Sequence, residues 1–266
     1  MPESPVILVT GASSGIGAAT ARLFGQKGYR VVLAARRLDR LQALAEEIQS
    51  AGGQALPVTA DLTQAADIHN LVQASLSQYG QIDVLLNNAG FGRLNWLDDM
   101  DAQKDIAAQV QINILAVIWM AQAVLPNMIE RRSGHIINMG SMASWVATPT
   151  YSIYAASKFA LRGFSEALRR EVGIYNIKVS VIYPGGVATE FGEHVGYKRK
   201  TGITTPKGLR LSAEQVAEAV WKVAQRPRRA LMLPGVMRLS AWANFFMPGL
   251  IDRVMENRFT KPERLG

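Results

Sequence analysis

The chain of 266 residues has no cysteine. That excludes a disulfide framework, thiolate catalysis and cysteine-held metals. Histidine is scarce too. His69, His135 and His194 stand far apart, and nothing has metal-ligand spacing, so no metal centre is expected. The first residues, MPESP, lack a basic leader region, and no signal-type apolar core follows them. A cytoplasmic protein is the expectation. Towards the other end apolar residues are plentiful, but Arg238, Pro248, Asp252 and Arg253 interrupt any run long enough to cross a bilayer.

What charge there is lies unevenly. The net value is +8; residues 1–190 hold 15 Lys+Arg and 15 Asp+Glu, whereas residues 191–266 hold 14 against 6, an excess of eight. A basic C-terminal third suits an anionic lipid surface, an acidic protein or an anionic substrate, or is simply a solvated face. No nucleic-acid recognition motif accompanies it, so nucleic acid is not an expected partner. The length and an apolar fraction of 48% fit a single α/β domain over residues 1–266.

The apolar run Ser4–Thr10 has the character of a strand buried on both faces of a parallel sheet. It leads into Gly11-Ala-Ser13-Ser14-Gly15-Ile16-Gly17 and then a helical stretch. Strand, glycine-rich turn and helix in that order form a phosphate cradle: Gly11 for a tight turn, Gly15 for close approach of a ligand, Gly17 for helix–strand packing. The spacing is Gly-x-x-x-Gly-x-Gly, a variant of the commoner dinucleotide fingerprint. The next strand, Tyr29–Ala35, ends without the acid that would bind a ribose 2′-hydroxyl, and Arg36 and Arg37 follow. Arginines there suit a 2′-phosphate, which points to NADP(H), with Arg36 the stronger candidate and Arg37 also readable as a solvated helix-start residue.

Helices and strands go on alternating, as in βαβ units. Strands are expected at Gln54–Ala60, Ile82–Leu86, His135–Met139, Ile177–Tyr183 and Ala230–Leu233. Asp61, before Leu62, reads either as the N-cap of the helix over 64–79 or as an acceptor for an adenine amino group. Asn87, Ala89 and Gly90 follow the fourth strand, at the edge where such sheets bind ligands. A long helix over 101–131 carries Asn113, and Ser212 is a plausible cap for a helix over 212–225.

Chemistry is expected between Ser141 and Lys158. Tyr154 and Lys158 are four apart in a helix-tolerant run, so they share a face. A nearby ammonium favours the phenolate and lowers a tyrosine's pKa from about 10, making it a proton donor or acceptor for an alcohol or ketone oxygen. Ser141, beyond the fifth strand, has a hydroxyl suited to the same oxygen.

Over nearly its full length the chain resembles the short-chain dehydrogenase/reductase family. The resemblance rests on Thr10–Gly17 (TGASSGIG), Asp61, Asn87–Gly90 (NNAG), Asn113, Ser141, Tyr154–Lys158 (YAASK) and Pro184–Thr189 (PGGVAT), in the family's order. It implies a Rossmann-type, doubly wound sheet of seven parallel strands in the order 3-2-1-4-5-6-7. Asn113, Ser141, Tyr154 and Lys158 match the family's catalytic tetrad. By that match Tyr154 is the general acid in reduction, Lys158 lowers its pKa and holds the nicotinamide ribose, Ser141 binds the carbonyl, and Asn113 kinks its helix and holds a relay water. Asn87 is implied at the cofactor ribose, Asp61 at the adenine, and Val187 and Thr189, after Pro184 and Gly185, at the carboxamide. A homodimer or homotetramer built on the helices over 101–131 and 152–174 is expected by the same analogy.

Residues 191–211 are glycine-dotted and basic, and read as a substrate lid. The C-terminal extension 235–266 mixes Trp242, Phe245, Phe246, Leu250, Ile251 and Phe259 with arginines. Three readings stand in order: a wall of an apolar substrate pocket, a dimer contact, or a peripheral membrane contact through 235–259. Tyr151 is assigned to the pocket or the core; Met142, Trp96 and Trp145 suit an apolar substrate or the core equally. The expected activity is NADP(H)-dependent interconversion of a hydrophobic ketone or aldehyde with its alcohol. The alternatives are a 3-oxoacyl-carrier-protein reductase and a non-catalytic NADPH-binding regulator.

Overall fold

The computed structural model describes residues 4–190, 196, 200–201 and 205–265. Seven parallel strands, β1 (Val6–Thr10), β2 (Arg30–Ala35), β3 (Gln54–Thr59), β4 (Val84–Asn87), β5 (Gly134–Met139), β6 (Ile177–Pro184) and β7 (Ala230–Leu233), form one sheet in the order β3-β2-β1-β4-β5-β6-β7. Strand side chains alternate between faces, and the chain uses that to build two cores. Val6, Leu8, Val32 and Ala34 face α3 (Ala65–Tyr79), α4 (Ala102–Glu130) and α5 (Ser152–Val172). Ile7, Val9, Val31 and Leu33 face α1 (Gly15–Gln26), α2 (Leu38–Ser50) and α6 (Ala213–Gln225). Strands covered on both sides have no polar face to spare, hence the near-continuous apolar runs.

Ser212 caps α6 as expected. Its hydroxyl accepts from Gln215 N at 3.2 Å while the Gln215 side chain accepts from Ser212 N at 2.9 Å, a reciprocal capping box. Asp61 does not cap α3, which begins at Ala65 with Gln64 at the cap position. Its carboxylate lies too early in the chain and instead closes a local turn, accepting from Thr63 N at 3.0 Å and Thr63 Oγ1 at 2.9 Å.

The long helix α4 is not uniform. Its windings over Ala102–Ala107 and Gln111–Leu115 are π-type, and Ala116 N bonds the carbonyl five residues back at Gln111. Asn113 sits in the second of these wide turns. By length and composition α4 is apolar enough to cross a membrane, but Met120, Val124 and Met128 are buried in the core beside α3.

Beyond β7 come α7 (Arg238–Phe246) and α8 (Pro248–Met255), a π-type turn over Glu256–Thr260, and a last turn, Lys261–Arg264. Phe259 is buried, its ring 6.4 Å from that of Trp96. Glu263 is buried as well, accepting from Lys200 N at 3.0 Å, Thr201 N at 2.8 Å and the Thr201 hydroxyl. Most of the expected lid, 191–211, lies outside the described residues.

Candidate active site

A crevice of about 1460 Å³ runs along the carboxyl ends of the strands. Parallel sheets bind ligands there because the order of strands reverses and neighbouring loops part. Its floor is the turn after β1. Gly11 has φ +67, and a Cβ on it would sit 2.9 Å from the Ala89 Cα. A Cβ on Gly17 would sit 2.2 Å from the Gly11 carbonyl oxygen. Only glycine lets the turn close this tightly, and the N-terminus of α1 then faces the crevice as a ready anion site. Thr10 fixes the neighbouring strand end: its hydroxyl accepts from Asn88 N at 2.9 Å and Ala89 N at 3.1 Å and donates to Leu86 O.

Gly11, Ser13, Ser14, Gly15, Ile16, Arg36, Arg37, Asp61, Leu62, Ala89, Gly90, Pro184, Gly185, Val187 and Thr189 all line this crevice, with Ser141, Tyr154 and Lys158. Arg36 is exposed and has no salt bridge among the described residues. Arg37 is half-buried and spans the mouth of the cradle. It donates to Ser13 Oγ at 2.9 Å, Ser14 Oγ at 3.1 Å and Glu190 Oε2 at 3.3 Å. It is therefore a structural bridge and not merely a solvated residue. Arg40 joins it, 2.7 Å from Glu190 Oε1, and the two guanidinium groups hold the Glu190 carboxyl below its ordinary pKa, Arg40 contributing most.

Three expected site residues do not line the crevice: Gly17, which packs against the Gly11 carbonyl, Asn87 and Asn113. Asn87 does not line the crevice: it is the last residue of β4, in register with Asn138, and donates to Asn138 Oδ1 at 2.9 Å inside the core. Asn138 passes the chain on to Ser165 at 2.8 Å. Asn88 is the amide that lines the crevice, its Nδ2 3.0 Å from Thr10 O. Asn113 is fully buried behind the wall. Its Oδ1 accepts from Phe91 N at 3.1 Å, and its Nδ2 donates to Phe91 O at 2.9 Å and Ser157 Oγ at 3.2 Å. Both amide hydrogens are thus committed to the protein, and the side chain clamps the Phe91 loop.

Tyr154 and Lys158 share a face of α5, as their spacing requires. The Lys158 Nζ is 5.7 Å from the centre of the Tyr154 ring and donates to Met139 O at 3.0 Å. Tyr154 hydrogen-bonds Ser141, whose Oγ also accepts from Ala143 N at 3.1 Å. Burial opposes the lowering of the phenol expected from Lys158. Burial pushes Tyr154 up to about 12, outweighing the lowering by Ser141, while burial brings Lys158 down to about 8. Desolvation disfavours each charged form, and it wins because both groups are buried.

The far half of the crevice is mainly apolar, walled by Leu94, Met142, Ala143, Val146, Tyr151 and Met237. Trp96 and Trp145 belong to the packing instead. Trp96 stacks near Phe259 under Arg264, and Trp145 packs on Tyr183 under Arg162. Asn88, read only as part of the NNAG stretch, lines the crevice, as do Arg93 and Glu190, polar residues that the sequence did not single out. Glu190 meets Arg37 across 153 residues of sequence, which no local pattern marks.

A family model described as short chain dehydrogenase matches residues 5–200. The chain belongs to the short-chain dehydrogenase/reductase family. Among its relatives is an NADP-dependent 3-hydroxy acid dehydrogenase of Salmonella typhimurium, 36% identical over 225 residues, which cover 84% of this short-chain dehydrogenase/reductase and 90% of that protein. Among solved structures, a short-chain dehydrogenase of Sphingobium yanoikuyae in complex with NADPH has a TM-score of 0.79 at 29% identity, covering 93% of this chain and 95% of that one. A 3-ketoacyl-(acyl-carrier-protein) reductase of Brucella melitensis complexed with NADH has a TM-score of 0.78 at 28% identity, covering 87% and 97%. This short-chain dehydrogenase/reductase is an oxidoreductase by family, and such neighbours carry cofactors with and without the 2′-phosphate.

Proposed function

We propose that this short-chain dehydrogenase/reductase interconverts an apolar ketone or aldehyde with its alcohol, using NADP(H), with Tyr154 as the proton donor and acceptor. The observation that carries this reading is Tyr154 at the crevice wall, its hydroxyl bonded to Ser141, with Lys158 one helical turn away. The glycine cradle fits a dinucleotide pyrophosphate, since its backbone has no side chain to exclude one and α1 presents its N-terminus there. Arg36 and Arg37, with no acid at Ala35, fit a 2′-phosphate. When bound, NADPH supplies the hydride. Ser141 and Tyr154 then bind the carbonyl oxygen together, and Tyr154 gives it the proton. A phenol with its pKa raised stays protonated through the neutral range, the form reduction needs. Lys158 holds positive charge beside the phenolate left behind and stabilises it until solvent returns a proton. The apolar wall accepts the body of the substrate.

A panel of soluble ketones and aldehydes, followed by loss of NADPH absorbance, tests the reading. Turnover of apolar carbonyls supports it; NADPH binding without turnover of any member returns the protein to the regulator class. A second reading rests on Arg93 and Arg210, which also line the crevice. Guanidinium groups there favour a substrate bearing a carboxylate or carrier-linked phosphate. Higher kcat/KM on 3-hydroxy or 3-oxo acids than on uncharged ketones of equal length would select it.

A further inference from the structure

We infer that the outer face of α7 and α8 docks on an anionic lipid surface. Of the fourteen large apolar side chains that are exposed among the described residues, eight fall in one stretch from Val236 to Val254. Leu239, Trp242, Phe245 and Phe246 are 70%, 65%, 77% and 66% exposed. They recur at three- and four-residue spacing, so they share one side of α7. The rings touch one another: Trp242 and Phe246 are 5.6 Å apart and Phe245 and Phe246 5.0 Å. Met247, Leu250 and Val254 continue the patch onto α8. Soluble proteins seldom leave so continuous an aromatic patch to water.

The other side of α7 is anchored. Ala241 is buried against Met142, Val181 and Tyr183, and Asn244 Nδ2 donates to Trp145 O at 3.2 Å. The aromatic side therefore stays outward and cannot fold into the core. Charge around the patch selects its occupant. Arg238, Arg253 and Arg258 are exposed and have no ion pair among the described residues. Of the nearby acids, Glu256 is paired with Lys261 and Glu263 is buried, leaving Asp252 against three arginines. A two-fold contact with a second copy would bring together two patches of the same positive sign. Anionic headgroups neutralise them, and tryptophan and phenylalanine beside arginine suit the headgroup–acyl boundary. Met237 and Ser240, in the same segment, line the crevice, so docking brings the crevice to the lipid surface.

Co-sedimentation with phosphatidylglycerol/phosphatidylcholine vesicles, compared with pure phosphatidylcholine, tests this on the full chain. The assay reads lipid binding without turnover, so failure of the catalytic reading leaves it standing. Binding is expected on the anionic vesicles and is expected to weaken with salt. Trp242→Ser/Phe245→Ser/Phe246→Ser and, separately, Arg238→Glu/Arg253→Glu are each expected to lower the bound fraction at least tenfold, while NADPH binding and the circular dichroism spectrum stay as in the parent. The arginine pair replaces exposed charges, so it reads docking even where the aromatic triple fails to fold. Absence of binding by the parent overturns the inference. So does a parent oligomer that the aromatic variant splits, because a second copy then covers the face.

Discussion

The Lys158 ammonium stands 5.7 Å from the centre of the Tyr154 ring, yet the phenol it accompanies is raised to about 12 in the free protein. A phenol raised that far keeps its proton throughout the neutral range. Replacing it with phenylalanine removes the proton and little volume. Tyr154→Phe is expected to cut kcat by about 10²–10⁴-fold and to leave NADPH affinity within about twofold by titration calorimetry. Retained turnover would refute the donor role.

Lys158 titrates near 8 because burial lowers it. Below that value it is an ammonium; above it the positive charge beside the phenol is lost. kcat/KM for reduction is expected to fall as pH rises through about 8, while Tyr154 is still protonated. A pH–rate profile checks this, and in Lys158→Arg the limb near 8 should disappear, since arginine keeps its charge.

Arg37 and Arg40 share Glu190. A carboxylate held there competes with a 2′-phosphate for the same guanidinium groups. Exposed ion pairs of this kind are worth at most about 1 kcal/mol, so Glu190→Gln should tighten NADPH by no more than about fivefold and leave NADH unchanged. Arg36→Ala should weaken NADPH at least tenfold more than NADH. Equal effects on the two cofactors would remove phosphate recognition from these arginines.

His135 is buried, with Nε2 2.8 Å from Ser180 Oγ and Nδ1 unpartnered, and burial brings it down to about 4. The unfolded chain takes up its proton near 6.5, so the unfolded state binds more protons between those values. Stability from this group is complete above about 6.5 and is lost progressively as pH falls towards about 4, on the order of 3 kcal/mol. Urea unfolding of the parent and His135→Gln at several pH values should show a shallower acid decline in the variant.

Asn87 separates what the sequence made legible from what it did not. The cradle, the seven strands and the Tyr154–Lys158 face follow from apolar runs, glycines and helical spacing. A strand boundary does not. Ending the fourth strand at Leu86 puts Asn87 in the loop; ending it one residue later turns Asn87 into the core and leaves Asn88 at the rim, because strand side chains alternate. Asn87→Ala should thus cost about 1–3 kcal/mol of stability by orphaning Asn138, with NADPH affinity nearly unchanged. The wide turns of α4 were equally hidden, since a π-winding leaves the apolar pattern almost intact. Of the two readings of Asp61, only the cap failed, because α3 begins at Ala65 with Gln64 before it.

The clasp that Glu263 makes on Lys200 and Thr201 carries a practical lesson. Deleting the final residues, or fusing a purification handle that pulls that turn away, would strand two backbone donors more than sixty positions upstream. Engineering at this terminus should consequently register in the kinetics and not in solubility alone, and a handle belongs at the opposite end.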